Sequence, residues 1–453
     1  METEKVTQFH LAMYSRFEDM QANESLRLYA GSLSLYDGSQ TFNGTGNVEF
    51  TFVPELAVHY ELGLANTPAF ISSDNENQKI EVPGLTTSVA IHLTSFQFGI
   101  SSSPSPSSIS GSMKEAAQYG VQERLGRVKF SLVNFHDYYG QVIYRAVGGK
   151  PNKWRGRATF EFDKWVVTLD ALHNILERRK QAKASNGYAV THVGMLRRRD
   201  DKLFGADEAY KILDFLYWFF AFANGGRCGC ILPEGLRHTG SVLWENWQAP
   251  KLSRMKYHQS WFAEHAPSRC FEAAQGCFSL WQDENKRDWL RRAIAIYVES
   301  NRNLSGVDLA LANSQMALEL LAWTVLIEEK GVITEESFQK LTAADKFRLM
   351  LAINGIPASI PASATDLLKS FKPGKGVDGP HVIAEIRNAV IHPTRTKHAW
   401  LKRLSSLAQY QAWQLSQYYI ELVLLKLFDY SGPYENRFGN PPMSIFEIVP
   451  WAK

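Results

Sequence analysis

Apolar residues keep a period of two through the first two hundred positions of this chain and a period of three to four through the last third. That change of period demands two kinds of architecture in one polypeptide, because a strand and a helix cannot share a hydrophobic repeat. Arg27-Leu28-Tyr29-Ala30, Asn47-Val48-Glu49-Phe50-Thr51-Phe52, Val128-Lys129-Phe130-Ser131-Leu132 and Arg157-Ala158-Thr159-Phe160-Glu161-Phe162 alternate or nearly alternate, with Gly, Asn, Asp and Pro between them. They predict a β-rich sandwich or barrel-like domain over residues 1–204. Within it the run from Ser101 to Ser108, rich in Ser and Pro, predicts a polar surface loop.

Residues 205–286 read as a connecting α and irregular segment. Asp207 to Ala223 carries Tyr210, Leu213, Leu216, Tyr217 and Phe220 at helical spacing and stops at Asn224-Gly225-Gly226. Cys228, Cys230, Cys270 and Cys277 lack zinc-knuckle spacing and predict buried free thiols.

The span 287–430 predicts an antiparallel helical bundle, so the chain as a whole is α+β. In its second helix Leu309, Asn313, Met316, Leu320, Trp323 and Ile327 recur at alternating spacings of four and three, which predicts a packed seam, with Gln315 and Glu319 beside it. A long helix is expected from His398 to Tyr430. Residues 431–453, rich in Pro and aromatics, predict a C-terminal strap.

Composition narrows the functional classes. A formal charge of +3 is too small to mark the whole chain as a nucleic-acid binder, so any basic footprint must be local. Ile212 to Ala223 is broken by Asp214, and no uninterrupted apolar run reaches the 18 or more residues of a membrane span. Met-Glu-Thr-Glu-Lys at the start is unlike a signal peptide. Few cysteines without an even framework fit a reducing, cytoplasmic setting. Two basic clusters, Arg178-Arg179-Lys180 with Lys183 and Arg197-Arg198-Arg199, lie near Glu177, Asp200 and Asp201 and read as solvated faces, the alternative being contact with a phosphate backbone.

The chemistry-bearing stretch is Glu385-Ile386-Arg387-Asn388-Ala389-Val390-Ile391-His392-Pro393. Proline pushes the preceding residue out of the α region, so His392 should sit at the helix end, where unpaired carbonyls favour its protonated form. At about 100° per residue Asn388 and His392 share a face, whereas Arg387 and His392 lie about 140° apart. Cooperation between the last two therefore needs an unwound last turn or two copies of the helix facing each other in a dimer. The competing arrangement pairs Arg387 with Glu385, Asp378 or another bundle acid while His392 caps its own helix.

Arg387-Asn388 followed by three residues and His392, near the end of the third main helix of a C-terminal bundle, resembles the HEPN signature. The resemblance covers roughly Asp288 to Tyr430, about a third of the chain. It implies a metal-independent endoribonuclease without a cofactor, of the kind found among toxins and anti-phage or abortive-infection effectors that work as homodimers or higher homo-oligomers. It further implies cleavage through the ribose 2′-OH, giving a 2′,3′-cyclic phosphate and a 5′-hydroxyl. His392 would then be the acid or base and Arg387 the phosphate holder, with Asn388 orienting the ring or a phosphate. Arg395, Lys397, His398, Lys402 and Arg403 would gather RNA, and Glu319 could support the site. A trigger, phage-derived or other, would act at the β-rich region. The alternative is a non-catalytic module that binds nucleotide or a partner chain.

Overall fold

The computed structural model describes residues 10–64, 77–97, 107–302, 306–372, 374, 376–392, 394–439 and 446–452. Six strands, Leu26–Tyr36, Thr41–Thr51, Ala57–Leu64, Lys79–Glu81, Val89–Gln97 and Ser107–Met113, close into a barrel. Its interior follows from the period of two: Val58, Tyr60, Leu62 and Leu64 point inward along one strand, with Val48 opposite Tyr60 and Phe50 opposite Val58. At Gly46 a Cβ would lie 1.9 Å from the Glu61 carbonyl oxygen, so the close approach of those strands requires glycine. Most of the expected Ser/Pro loop lies outside the described residues, and its end, Ser107 and Ser108, opens a barrel strand.

A second, nine-stranded sheet follows. Within it Arg127–Val133 pairs antiparallel with Val190–Arg198 on one side and Gly229–Leu236 on the other. Trp165–Ala171, Lys150–Phe162, Gln141–Val147 and His10–Leu11 extend one edge, and Val242–Trp247 and Ala117–Tyr119 extend the other. The segment expected to be only a connector thus supplies two strands to this sheet. The helix Ala206–Asn224 packs against it through aromatic rings, with Phe162 and Phe215 centroids 5.0 Å apart and Phe160 and Phe219 centroids 6.2 Å apart. It ends at Gly225, whose φ of 64° is the left-handed geometry a helix stop needs.

Four main helices, Glu284–Arg302, Val307–Trp323, Gly379–Ile391 and Ser406–Leu427, form the helical half, with the shorter Ala343–Ile353 packed beside them. One hydrophobic core runs from the central sheet through Phe219 and Trp261 into this bundle. Two expectations are corrected here. The helix expected from His398 to Tyr430 is two, Arg395–Leu401 and Ser406–Leu427, because Ser405 accepts a hydrogen bond from the Ala408 N–H and caps a new start. The expected seam is not the packed face of Val307–Trp323. Leu309 and Met316 are 53% and 55% exposed, while Ala310, Leu311, Ser314, Gln315, Leu318 and Leu321 face inward. By length and composition alone the helical residues Val307–Glu329 could cross a bilayer, although Asp308 and Glu319 interrupt their apolar run. In the fold, 61% of the apolar window is buried.

The strap folds back through Pro433–Tyr434 and Glu447–Ile448, which pair as short strands. It is pinned by Arg437, whose guanidinium is buried against the Glu421 carboxylate at 2.7 and 2.9 Å and also donates to Gln414 and Asn301. Pro441 and Pro442 lie outside the described residues.

Candidate functional site

The signature helix begins where Asp378 accepts a hydrogen bond from the His381 N–H at 3.0 Å and Pro380 occupies its first turn. Val382, Ile383, Ile386 and Ala389 bury one face against the bundle, leaving Glu385 exposed. The helix is unbroken through Ile391. His392 leaves it with φ −115° and ψ 70°, its N–H donating to the Asn388 carbonyl at 3.1 Å. Pro393 lies outside the described residues.

Arg387 is half-buried, and its Nε is buried with no hydrogen-bond partner. Nη1 donates to Asn388 Oδ1 at 3.3 Å, and no carboxylate pairs with the guanidinium among the described residues. The competing arrangement is therefore absent for Asp378, which Arg348 holds in a two-pronged pair at 2.7 and 3.0 Å. Those hydrogen bonds raise the Arg348 pKa above its ordinary value.

Asn388 links the two residues differently from expectation: its side chain serves Arg387, and only its backbone carbonyl meets His392. The His392 ring is exposed. Because the helix stays regular through Ile391, the guanidinium and the ring of one chain leave the axis about 140° apart.

Glu319, expected as support, is half-buried and accepts from Gln315 Nε2 at 2.8 Å. No described hydrogen bond or ion pair brings it to Arg387, Asn388 or His392.

After the signature, Thr394 caps the short helix Arg395–Leu401 by accepting from the Lys397 N–H. Trp400 anchors this helix on Phe371, with ring centroids 5.8 Å apart. Arg395, His398, Lys402 and Arg403 are exposed and Lys397 is half-buried. None of the five is in an ion pair among the described residues; Arg403 Nε donates to the Ala399 carbonyl. The other basic clusters differ. Arg197, Arg198 and Arg199 pair with Asp201, Asp200 and Glu161, whereas Arg178 is not on the solvated face expected of it but buried on the Phe17 and Glu18 carbonyls.

Two features escaped the sequence. One is the Arg437–Glu421 pin. The other is a cavity of about 310 Å³ whose walls come from three separate segments, Ala206–Asn224, the strands Gly229–Leu236 and Val242–Trp247 with the residues after them, and Glu284–Arg302. No local spacing announces either, because each is assembled by tertiary contact.

Fold and site together define an α+β protein that presents a half-buried arginine and an exposed histidine near the end of one bundle helix, beside cations that have no acid partner among the described residues. Residues 120–258 match the YopA central domain and residues 283–447 the YopA C-terminal domain. The first range covers most of the nine-stranded sheet, and the second runs from the start of the bundle to the strap. The chain is similar to the SPbeta prophage-derived uncharacterized protein YopA of Bacillus subtilis (strain 168), 28% identical over 458 residues and covering 98% of each chain. No solved structure matches.

Proposed function

We propose that this protein is a metal-independent RNA endonuclease with a HEPN-like bundle, acting as a homodimer. The observation that carries the reading is Arg387, a half-buried guanidinium that no carboxylate neutralises among the described residues, five residues before an exposed His392 and followed by cations that have no acid partner among them. A buried cation without an acid is costly unless an anion meets it in function, and the RNA phosphate is such an anion.

In the proposed reaction the ribose 2′-oxygen attacks phosphorus while the bond from phosphorus to the 5′-oxygen breaks. One His392 takes the 2′-OH proton and the partner subunit's His392 protonates the leaving oxygen. Arg387 neutralises the crowded phosphate. Two chains are required because one helix projects the ring and the guanidinium in different directions.

The β-rich half would receive a trigger, phage-derived or other, and restrain the bundle in the cytoplasm. A role in phage defence or as a toxin accords with the prophage origin stated for the Bacillus relative. A second reading, a module that binds nucleotide or a partner without catalysis, is favoured by the contact of Asn388 with Arg387, which leaves the imidazole without a described orienting partner.

Incubation of the purified protein with RNA in EDTA separates the two. Fragments ending in 2′,3′-cyclic phosphate that disappear in His392→Ala support the nuclease. RNA retained uncut by wild type supports the binding module and rejects catalysis.

A further inference from the structure

The geometry points to a second site, the cavity where the central sheet meets the bundle, as a binding pocket for a mononucleotide: a planar heteroaromatic ring carrying an anionic group. Its volume of about 310 Å³ lies at the small end of ligand pockets, which run from about 300 to 1,000 Å³. Tyr217 and Trp218 supply aromatic walls from one helix. The Tyr217 hydroxyl is fixed by donating to the Lys251 carbonyl at 2.7 Å, so that wall is preformed.

Asn246 supplies the edge reader. It is 3% exposed, lines the cavity, and its Oδ1 is buried without a hydrogen-bond partner. Buried acceptors are normally paired, and a ring N–H or exocyclic amine is the donor this one lacks. The side-chain amide of a neighbouring wall residue, Gln248, adds a second reader.

Cations complete the chemistry. Arg291 reaches in from the bundle with its guanidinium 5.3 Å from the Trp218 ring centre, held by a single weak acid contact, Asp214 at 3.5 Å. Burial raises the Asp214 pKa, against the opposing pull of Arg291 and Trp218, and the contact of its carboxylate with the guanidinium is long. Arg227, on the same indole at 5.8 Å, is already taken by Glu299 at 3.0 Å. Arg291, with exposed Lys251 at the rim, is left to meet a phosphate. Aromatic stacking, amide edge recognition and a guanidinium fork are the three devices that hold a nucleotide. This site does not depend on the nuclease reading and shares none of its residues.

Titration calorimetry of the full chain with AMP, GMP, CMP and UMP, and with inorganic phosphate alone, tests the assignment. At least one nucleotide should bind saturably below 1 mM, at least tenfold tighter than phosphate. Arg291→Glu, at a partly exposed position, and Asn246→Leu, which is close in size but lacks the acceptor, should each weaken it tenfold or more while far-UV circular dichroism stays unchanged. Arg387→Ala should leave it intact. Absence of nucleotide binding at 1 mM, or binding indifferent to both cavity variants, overturns the proposal.

Discussion

Arg348 and Asp378 hold each other through two hydrogen bonds, Nε to Oδ2 at 2.7 Å and Nη2 to Oδ1 at 3.0 Å, across the start of the signature helix. The same carboxylate caps that helix, so one acid, nine residues before Arg387, serves both the helix end and Arg348. The pair is partly solvent-exposed, and each role contributes modestly. Asp378→Ala removes both and is expected to destabilise by about 1–2 kcal/mol, whereas Arg348→Ala, which leaves the cap, should cost about half as much. Urea unfolding of the two variants measures the difference; equal losses would contradict the dual role.

The Arg437–Glu421 pair is a different case, because both side chains are essentially sealed from water. Arg437→Ala leaves a carboxylate buried beside Tyr297 and should cost about 3–5 kcal/mol, detaching the strap. Replacing both, Arg437→Met with Glu421→Gln, should recover most of that loss. A double variant no more stable than Arg437→Ala would show that the pair matters through packing alone.

Titration behaviour follows from two buried groups. Burial, reinforced by His136 and Lys256, pushes the His258 pKa down to about 3 from 6.5. The unfolded chain therefore binds a proton that the fold refuses, and stability falls as pH drops below about 6.5. Burial, with Glu264 and Glu421 nearby, pushes Glu435 up to about 7 from 4.5. Here the fold keeps a proton that the unfolded chain releases, so this contribution is lost as pH rises from about 4.5 through 7. His258→Gln should flatten the acid side of the stability profile, and Glu435→Gln should raise the melting temperature at pH 8 but not at pH 4. Parallel profiles for wild type and both variants would contradict these assignments.

Leu309 and Met316 lie seven residues apart on the outer side of their helix, both more than half exposed. If the protein pairs as proposed, that stripe is the expected contact, and light scattering should report twice the 51.3 kDa chain mass. Leu309→Glu with Met316→Glu should give the single-chain mass and abolish RNA cleavage. A dimer that survives the substitutions would place the contact elsewhere.

The cations after the signature should act on binding rather than on the chemical step. Lys402→Glu with Arg403→Glu is expected to raise KM for RNA about tenfold, to reduce its salt dependence and to leave kcat within about twofold. A loss confined to kcat would move these residues into the chemistry.

How legible was this in the sequence? The barrel strand carrying Val48 and Phe50 announces itself because its alternate residues there are apolar. The strand Gly229–Leu236 does not, since Pro233 and Gly235 interrupt it and its partners are remote. The inward face of Val307–Trp323 was hidden by its own polarity. Ser314 and Ser300 bond each other there at 2.7 Å and both accept from Gln417, an arrangement that looks like solvent-facing chemistry until the partners are known. His392 as helix end was readable from local rules, whereas Asp378 figured only as an acid for Arg387 and its cap was missed. That Arg348, rather than Arg387, takes the Asp378 carboxylate was not readable, because thirty residues separate the pair.

Single-turnover cleavage of a short RNA in EDTA by wild type, His392→Ala, Arg387→Ala and the remote control Arg348→Ala tests the central proposal most directly. The account predicts losses of about 10²–10⁴-fold for His392→Ala and about 10²–10³-fold for Arg387→Ala, with Arg348→Ala near wild type. Rates in His392→Ala and Arg387→Ala equal to wild type would contradict it.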